Sequence, residues 1–403
     1  MALRYKGGVI SATAPTITPP VDGEGGSASG MWTIEQQFQN ASNWPKPILL
    51  KQLWSWGRNS QGQLGLGGAS LNRSSPVQVG ALTTWLNVAS GYQNTVATKT
   101  DGTLWSWGYN NVGQLGLGDV ASRNSPVQVG ALTTWYNVAC GYSHSLATKT
   151  DGTLWSWGGN TYGQLGLNDI TNRSSPVQVG ALTTWLNVAC GYSHSLATKT
   201  DGTLWSWGHN TAGQLGLGNT LNRSSPVQVG ALTTWLNVAG GLYFTVATKS
   251  DGTLWSWGVG LDGQLGLGNV NQYNSPKQVG ALTTWLNIAC GYANSLATKT
   301  DGTLWSWGRN NVGQLGLGDV TSRSSPVQVG ALTTWLNVAC GNSHSVATKT
   351  DKTLWSWGDN TYGQLGLNDI TNRSSPVQVG ALTTWLRLPK MPLSNSTLAI
   401  KTP

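Results

Sequence analysis

Three histidines, His144, His194 and His344, sit at one place in a recurring A-C-G-x-S-H-S line, and imidazoles arrayed around a ring could hold a metal ion. The first two fall in neighbouring copies but the third does not, and the same place holds Asn94, Phe244 and Asn294, which breaks any shared ligand set. The recurring GQLGLG has the glycine spacing of a phosphate loop. It lacks the Lys-Ser/Thr and the following helix that such chemistry needs, so it reads as a turn with buried leucines. Cys140, Cys190, Cys290 and Cys340 also share one place, where other copies have Ser90 and Gly240. A disulfide framework would not tolerate that exchange, so they read as small buried thiols. Asp and Glu together number only 15, most Asp fall at turns or loops, and neither a carboxylate pair nor a Ser-His-Asp or Cys-His set stands apart. The expectation is a non-enzymatic protein with no catalytic residue, no metal and no cofactor.

What positions these residues is a repeat of about 50 residues. The line DGTLWSWG-loop-GQLGLG-loop-SPVQVGALTTWLNVACGYSHSLATKT starts at Asp101, Asp151, Asp201, Asp251, Asp301 and Asp351, and a first copy starts at Lys51 without the Asp-Gly. Helical apolar spacing is absent, which leaves four short strands per unit. In one unit these are expected at 136–140, 145–149, 153–157 and, shorter, near 177–179. Asp-Gly supplies the positive φ of a tight hairpin turn between the second and third. In the last copy Asp351-Lys352 puts a side chain there, at a cost of about 1 kcal/mol if the turn is kept. Each copy carries three tryptophans, such as Trp105, Trp107 and Trp135. Trp105 and Trp107 face one side of their strand, and the rings are expected to pack between units.

W-x-W-G-x-N-x-x-G-Q-L-G over 105–116, Pro126 and A-C-G-x-x-H-S over 139–145 resemble the repeat of the regulator-of-chromosome-condensation family, and the likeness runs over 51–403. The resemblance implies an all-β, seven-bladed β-propeller of four-stranded blades and a structural hydrogen-bonding role for the histidine. The chain enters the repeat at its LWSWG strand and leaves after a degenerate half, LRLPKMPLSNSTLAIKTP. The C-terminal strands should therefore pair with the first half-repeat and close the ring.

Connections in such a blade alternate between the two faces of the disc. One face carries the Asp-Gly turn and an unchanging GALTTW; the other carries almost all differences among copies. Variation on one side of a rigid scaffold is how a recognition surface is made; neutral drift in solvated loops would leave the same pattern. Candidate contact residues are Arg58, Tyr109, His209 and Arg309 after the WSWG strand, and Leu242, Tyr243, Phe244, Val259, Leu261, Asp262, Gln272 and Tyr273 in the most divergent blade. Leu242 and Phe244 read equally well as plugs of the central channel.

Residues 1–30 form a Thr/Pro/Gly/Ser-rich arm that cannot bury a core, and 31–50 read as a short helix and linker offering Trp32, Ile34, Phe38 and Trp44 as anchors. GEGGSASGMWTIEQQFQNASNWP, at 23–45, resembles the leader of tailed-bacteriophage structural proteins. That likeness implies a virion protein, a fibre or a tail or head decoration, assembled in a host cytoplasm. Residues 1–50 would bind other virion proteins, and the varied face a host surface protein or glycan. Two other functions compete: an intracellular regulator of the family's GTPase- or chromatin-binding type, and a propeller that inhibits an enzyme. The net charge of +8 is dispersed rather than gathered in runs, so nucleic acid is not expected. No apolar run is long enough to enter a membrane.

Overall fold

The computed structural model describes residues 50–403 except Ala69, Met391 and Pro392. The expected arm, helix and anchors Trp32, Ile34, Phe38 and Trp44 lie outside the described residues. Lys51–Pro403 is one compact unit of seven four-stranded antiparallel sheets in a ring, with no helix among the described residues.

In the blade carrying His144 the strands, from the axis outward, are Trp135–Cys140, His144–Lys149, Leu154–Gly158 and Arg173–Gln178. The first three lie within a residue or so of their expected positions. The outermost is longer than expected, because Arg-Ser-Ser-Pro does not look like a strand. It pairs only through Arg173 with Gly158 and through Val177 and Gln178, with an irregular register between. An outer edge tolerates this, and Pro176 there removes a donor the ladder does not need.

Closure follows the expected route. Ser396–Lys401 pairs along its length with Gln52–Gly57, and Trp385–Arg387 lies inside it, so one blade is assembled from both ends of the repeat region. The ring thereby loses its open edges.

Neighbouring blades are joined by a seam that recurs around the ring. Trp135 and Trp157 of one blade pack on Ala89, Val96 and Leu104 of the preceding one. Trp135 stands edge-on to Trp155 and Trp157, with centroids 5.7 and 6.2 Å apart. The indole of Trp157 donates to the carbonyl of Gln114 at 3.0 Å, and the hydroxyl of Ser145 donates to the same oxygen at 3.0 Å. GQLGLG is thus a clasp for the next blade. Gly116 must be glycine because φ is 73° and a β-carbon would meet the Trp157 indole nitrogen at 2.9 Å. The closing seam is the same: Trp56 and Thr397 both donate to the carbonyl of Gln364. On each blade a lysine ends the second strand over a tryptophan, Lys149 Nζ lying 3.7 Å from the Trp155 ring centroid.

The histidines belong to these seams. His144, His194 and His344 are fully buried, and Nε2 of each reaches the next blade: Ser195 at 3.0 Å, Thr245 at 3.2 Å and Thr397 at 2.8 Å. Each hydroxyl spends its one proton on a Gln carbonyl. It must therefore accept from the imidazole, which fixes the Nε2–H tautomer. Burial pushes their pKa values down, to about 3 for His144 and His194 and about 4 for His344, so the rings are neutral. Burial likewise pushes the Cys140 thiol up to about 12. All four cysteines are buried and free.

Candidate interaction face

The turn after the inner strand and the long loop after the third strand meet on one face. In most blades the residue after WSWG donates its N–H to that turn, as Tyr109 does to Gln93 and His209 to Ser193, both at 2.9 Å. The long loop is held by a buried asparagine. The Asn110 amide donates to the carbonyls of Asp119 and Ala121, and its oxygen accepts from Leu115 N–H. Asp119 also pairs with Arg123 at 2.5 Å, and a hydrogen bond from the Ala121 N–H, with Arg123 beside it, keeps its carboxyl below the usual range.

Around the mouth of the central channel the inner turns carry aromatic rings in sequence. Tyr92 stacks on Tyr142 at 4.8 Å, Tyr142 and Tyr192 lie tilted to each other 4.4 Å apart, and Tyr192 lies 6.0 Å from Tyr243. Backbone bonds tie successive turns together: Tyr142 N–H donates to Tyr192 O, Tyr192 to Gly241 and Leu242 to Tyr292. Burial beside its neighbours pushes the Tyr192 phenol up to about 12, so it is a neutral donor. Residues of the outer loops lean on this arc. Arg58 donates to the Tyr92 hydroxyl at 3.3 Å and lies 5.1 Å from the Tyr362 ring. His209 lies 4.4 Å from Tyr162 and 5.5 Å from Tyr243, and Arg309 lies 6.0 Å from Tyr292. Sequence reasoning singled out Arg58, His209 and Arg309 as contacts and placed the turn of Tyr92 and its counterparts on this face, but not the ring-to-ring contacts; the signal was a tyrosine repeated at one turn position in four copies.

The divergent blade presents its candidate residues at different depths, with the Val259 N–H donating to the Tyr243 carbonyl at 2.9 Å. Phe244 is fully buried in the histidine slot, packed against Gly241, and offers no surface to a partner. Leu242 and Tyr243 are half-buried at the channel mouth, whereas Leu261 is 76% exposed on the outer loop. Val259 and Asp262 are half-buried beside it, and Gln272 is exposed. Tyr273 takes the place of the pairing arginine, packs on the core, and bonds Asn269. Gly260 replaces the holding asparagine, because a β-carbon there would meet Asn271 O at 2.1 Å. This loop has therefore exchanged the holding asparagine and the arginine for Asn269 and Tyr273, which bond each other. Tyr109 is half-buried at its loop's start.

A family model described as an RCC1-like domain matches residues 48–286, and models of the regulator of chromosome condensation repeat match 301–348 and 351–386. The chain belongs to the RCC1-like family. Similar curated proteins include the probable E3 ubiquitin-protein ligase HERC3 of Homo sapiens, 43% identical over 70 residues, which are 17% of this chain and 7% of that protein. The ultraviolet-B receptor UVR8 of Arabidopsis thaliana is 41% identical over 70 residues, 17% of this chain and 16% of the receptor. The RCC1-like match thus spans a small part of these relatives' length. Among solved structures, human WBSCR16 superposes with a TM-score of 0.78 at 24% identity over 87% of this chain and 99% of that one. Prp20p of Saccharomyces cerevisiae, described with its binding to Gsp1p and histones, superposes with a TM-score of 0.77 at 21% identity over 88% and 92%. At these identities the superpositions establish the fold.

These matches overturn the virion expectation. The relatives found are ligases, a light receptor, RCC2 homologues and Prp20p rather than phage components. With it fall the virion location and the partners assigned to it, virion proteins for residues 1–50 and a host surface protein or glycan for the varied face. The physical reason is that the leader likeness covered one short string at 23–45, whereas the repeat motifs fix residue types at fixed spacing seven times; the matched family models begin no earlier than residue 48.

Proposed function

We propose that this chain is an intracellular, non-enzymatic interaction module of the chromosome-condensation-regulator type, which recognises a folded protein through the tyrosine-ringed face. The observation that carries this reading is the arc Tyr92–Tyr142–Tyr192–Tyr243 with Arg58, His209 and Arg309 leaning on it. Aromatics beside arginines, over a closed ring of sheets, are the composition of interface hot spots. Prp20p is described as binding Gsp1p and histones, which makes a small GTPase or a histone the first partners to try.

The test is interferometry of the full chain against a purified small GTPase, nucleotide-free and GDP-loaded, and against core histones. Tyr142→Ser/Tyr192→Ser should weaken whichever partner binds by roughly tenfold or more, equivalent to about 1.4 kcal/mol. Leu186→Ser/Leu236→Ser, exposed on the opposite face, should change nothing. The reverse pattern would refute the assignment of the face.

A further inference from the structure

The channel along the axis is lined by the seven inner strands. Six copies contribute only uncharged groups: an asparagine at one level, from Asn87 to Asn337, and a small residue three positions on, such as Cys140 or Gly240. The closing segment breaks both rules at once. Arg387 stands at the asparagine level and Lys390 at the cysteine level, and no carboxylate lines the channel among the described residues.

Lys390 does not fold back on its own blade. Its ammonium crosses the channel and donates to the carbonyl of Val188 at 2.5 Å, on the inner strand three blades away. Arg387 donates to Leu86 O at 3.1 Å and to the Asn87 side-chain oxygen, which leaves part of its fork for another acceptor. Lys390 is exposed within the channel, yet protein surrounds it closely enough for desolvation to push its pKa down to about 8. Two cations held in one concavity without a counter-charge focus a positive field where uncompensated charge is costly. An anion would relieve that cost, and a guanidinium with an ammonium suits oxyanions in particular. The channel's space of about 380 Å³ falls in the range of small-molecule sites.

We propose that the propeller channel is a binding site for a small oxyanion, a carboxylate or a phosphate, held by Arg387 and Lys390 and by asparagine amides. The site lies inside the channel below its tyrosine-ringed mouth, and the proposal does not rest on what that face binds. The test is isothermal titration of the full chain, in buffer free of competing polyvalent anions, with inorganic phosphate in one arm and succinate in the other. One molecule per chain is expected to bind in at least one arm, which also tells the two chemistries apart. Lys390→Met should weaken binding by roughly tenfold or more, the scale of one lost charged hydrogen bond. Arg387→Gln, at an exposed position, should weaken it in the same direction and carries the test if Lys390→Met does not fold. Binding of neither probe overturns the proposal, as does binding that both variants leave unchanged.

Discussion

Lowering the pH from 7.5 to about 5 should destabilise the propeller through its three seam histidines. Each has an ordinary value of 6.5 and is pushed down to about 3 or 4 in the folded ring. The unfolded chain therefore takes up protons that the folded one refuses. The stability is fully present above 6.5 and is lost progressively as the pH falls from there toward 4 and below. At pH 5 the unfolded imidazole is almost wholly charged and the folded one almost wholly neutral, which amounts to about 2 kcal/mol per histidine and about 6 kcal/mol for three. The turn carboxylates act lower. Asp151 and its counterparts are held below 3.8 by hydrogen bonds from the threonine two residues on, so they leave this window to the imidazoles. Asparagine already fills the same slot at Asn94 and Asn294. His144→Asn/His194→Asn/His344→Asn should remove most of the difference in unfolding free energy between the two pH values, whatever it does to stability at either one. His209, also pushed down by burial, keeps a residual slope in both proteins. Urea titrations of both proteins at both pH values give the comparison. An equal pH dependence in the variant would refute the reasoning.

The remaining predictions concern the turns, seams and closure. Lys352 sits at φ 63° in a turn where its counterparts are glycine, so Lys352→Gly should raise stability by about 1 kcal/mol in denaturant midpoints. Gly102→Ala should lower it by at least as much, since the added carbon would meet Thr133 O at 2.0 Å. Trp157→Phe removes an indole that bonds the preceding blade and leaves a gap in a fully buried seam, and should cost about 2–4 kcal/mol by the same measurement. Removing residues 385–403 strips Gln52–Gly57 of its inner partner, and should turn one cooperative unfolding transition into broad, aggregation-prone melting in calorimetry.

The ring was legible because every local signal agreed: Asp-Gly turns, paired tryptophans and alternating strands at an unvarying period. The outer strand was underestimated because a polar edge needs no hydrophobic alternation to pair. The clasping role of GQLGLG was partly hidden, since its function lies in backbone carbonyls that carry no residue signature. Phe244 was offered as a contact on hydrophobicity alone, yet its position in the repeat is the slot where other copies bury histidine or asparagine. The inner turn of Tyr92 and its counterparts falls on the varied face by sequence, but the ring contacts that join Tyr92, Tyr142 and Tyr192 run between blades and only the ring closure places those turns edge to edge. Lys390 lay in a segment read as degenerate, and its reach across the axis depends on a partner 202 residues away in the chain.

Because one carbonyl receives the same two donors at each junction, the blades behave like parts cut to a single gauge. The upper loops of any one should be transplantable to another station by exchanging 50-residue cassettes, with no redesign of the joints. Selection acting on such a wheel can shuffle, copy and retune what is displayed while the hub stays as it was.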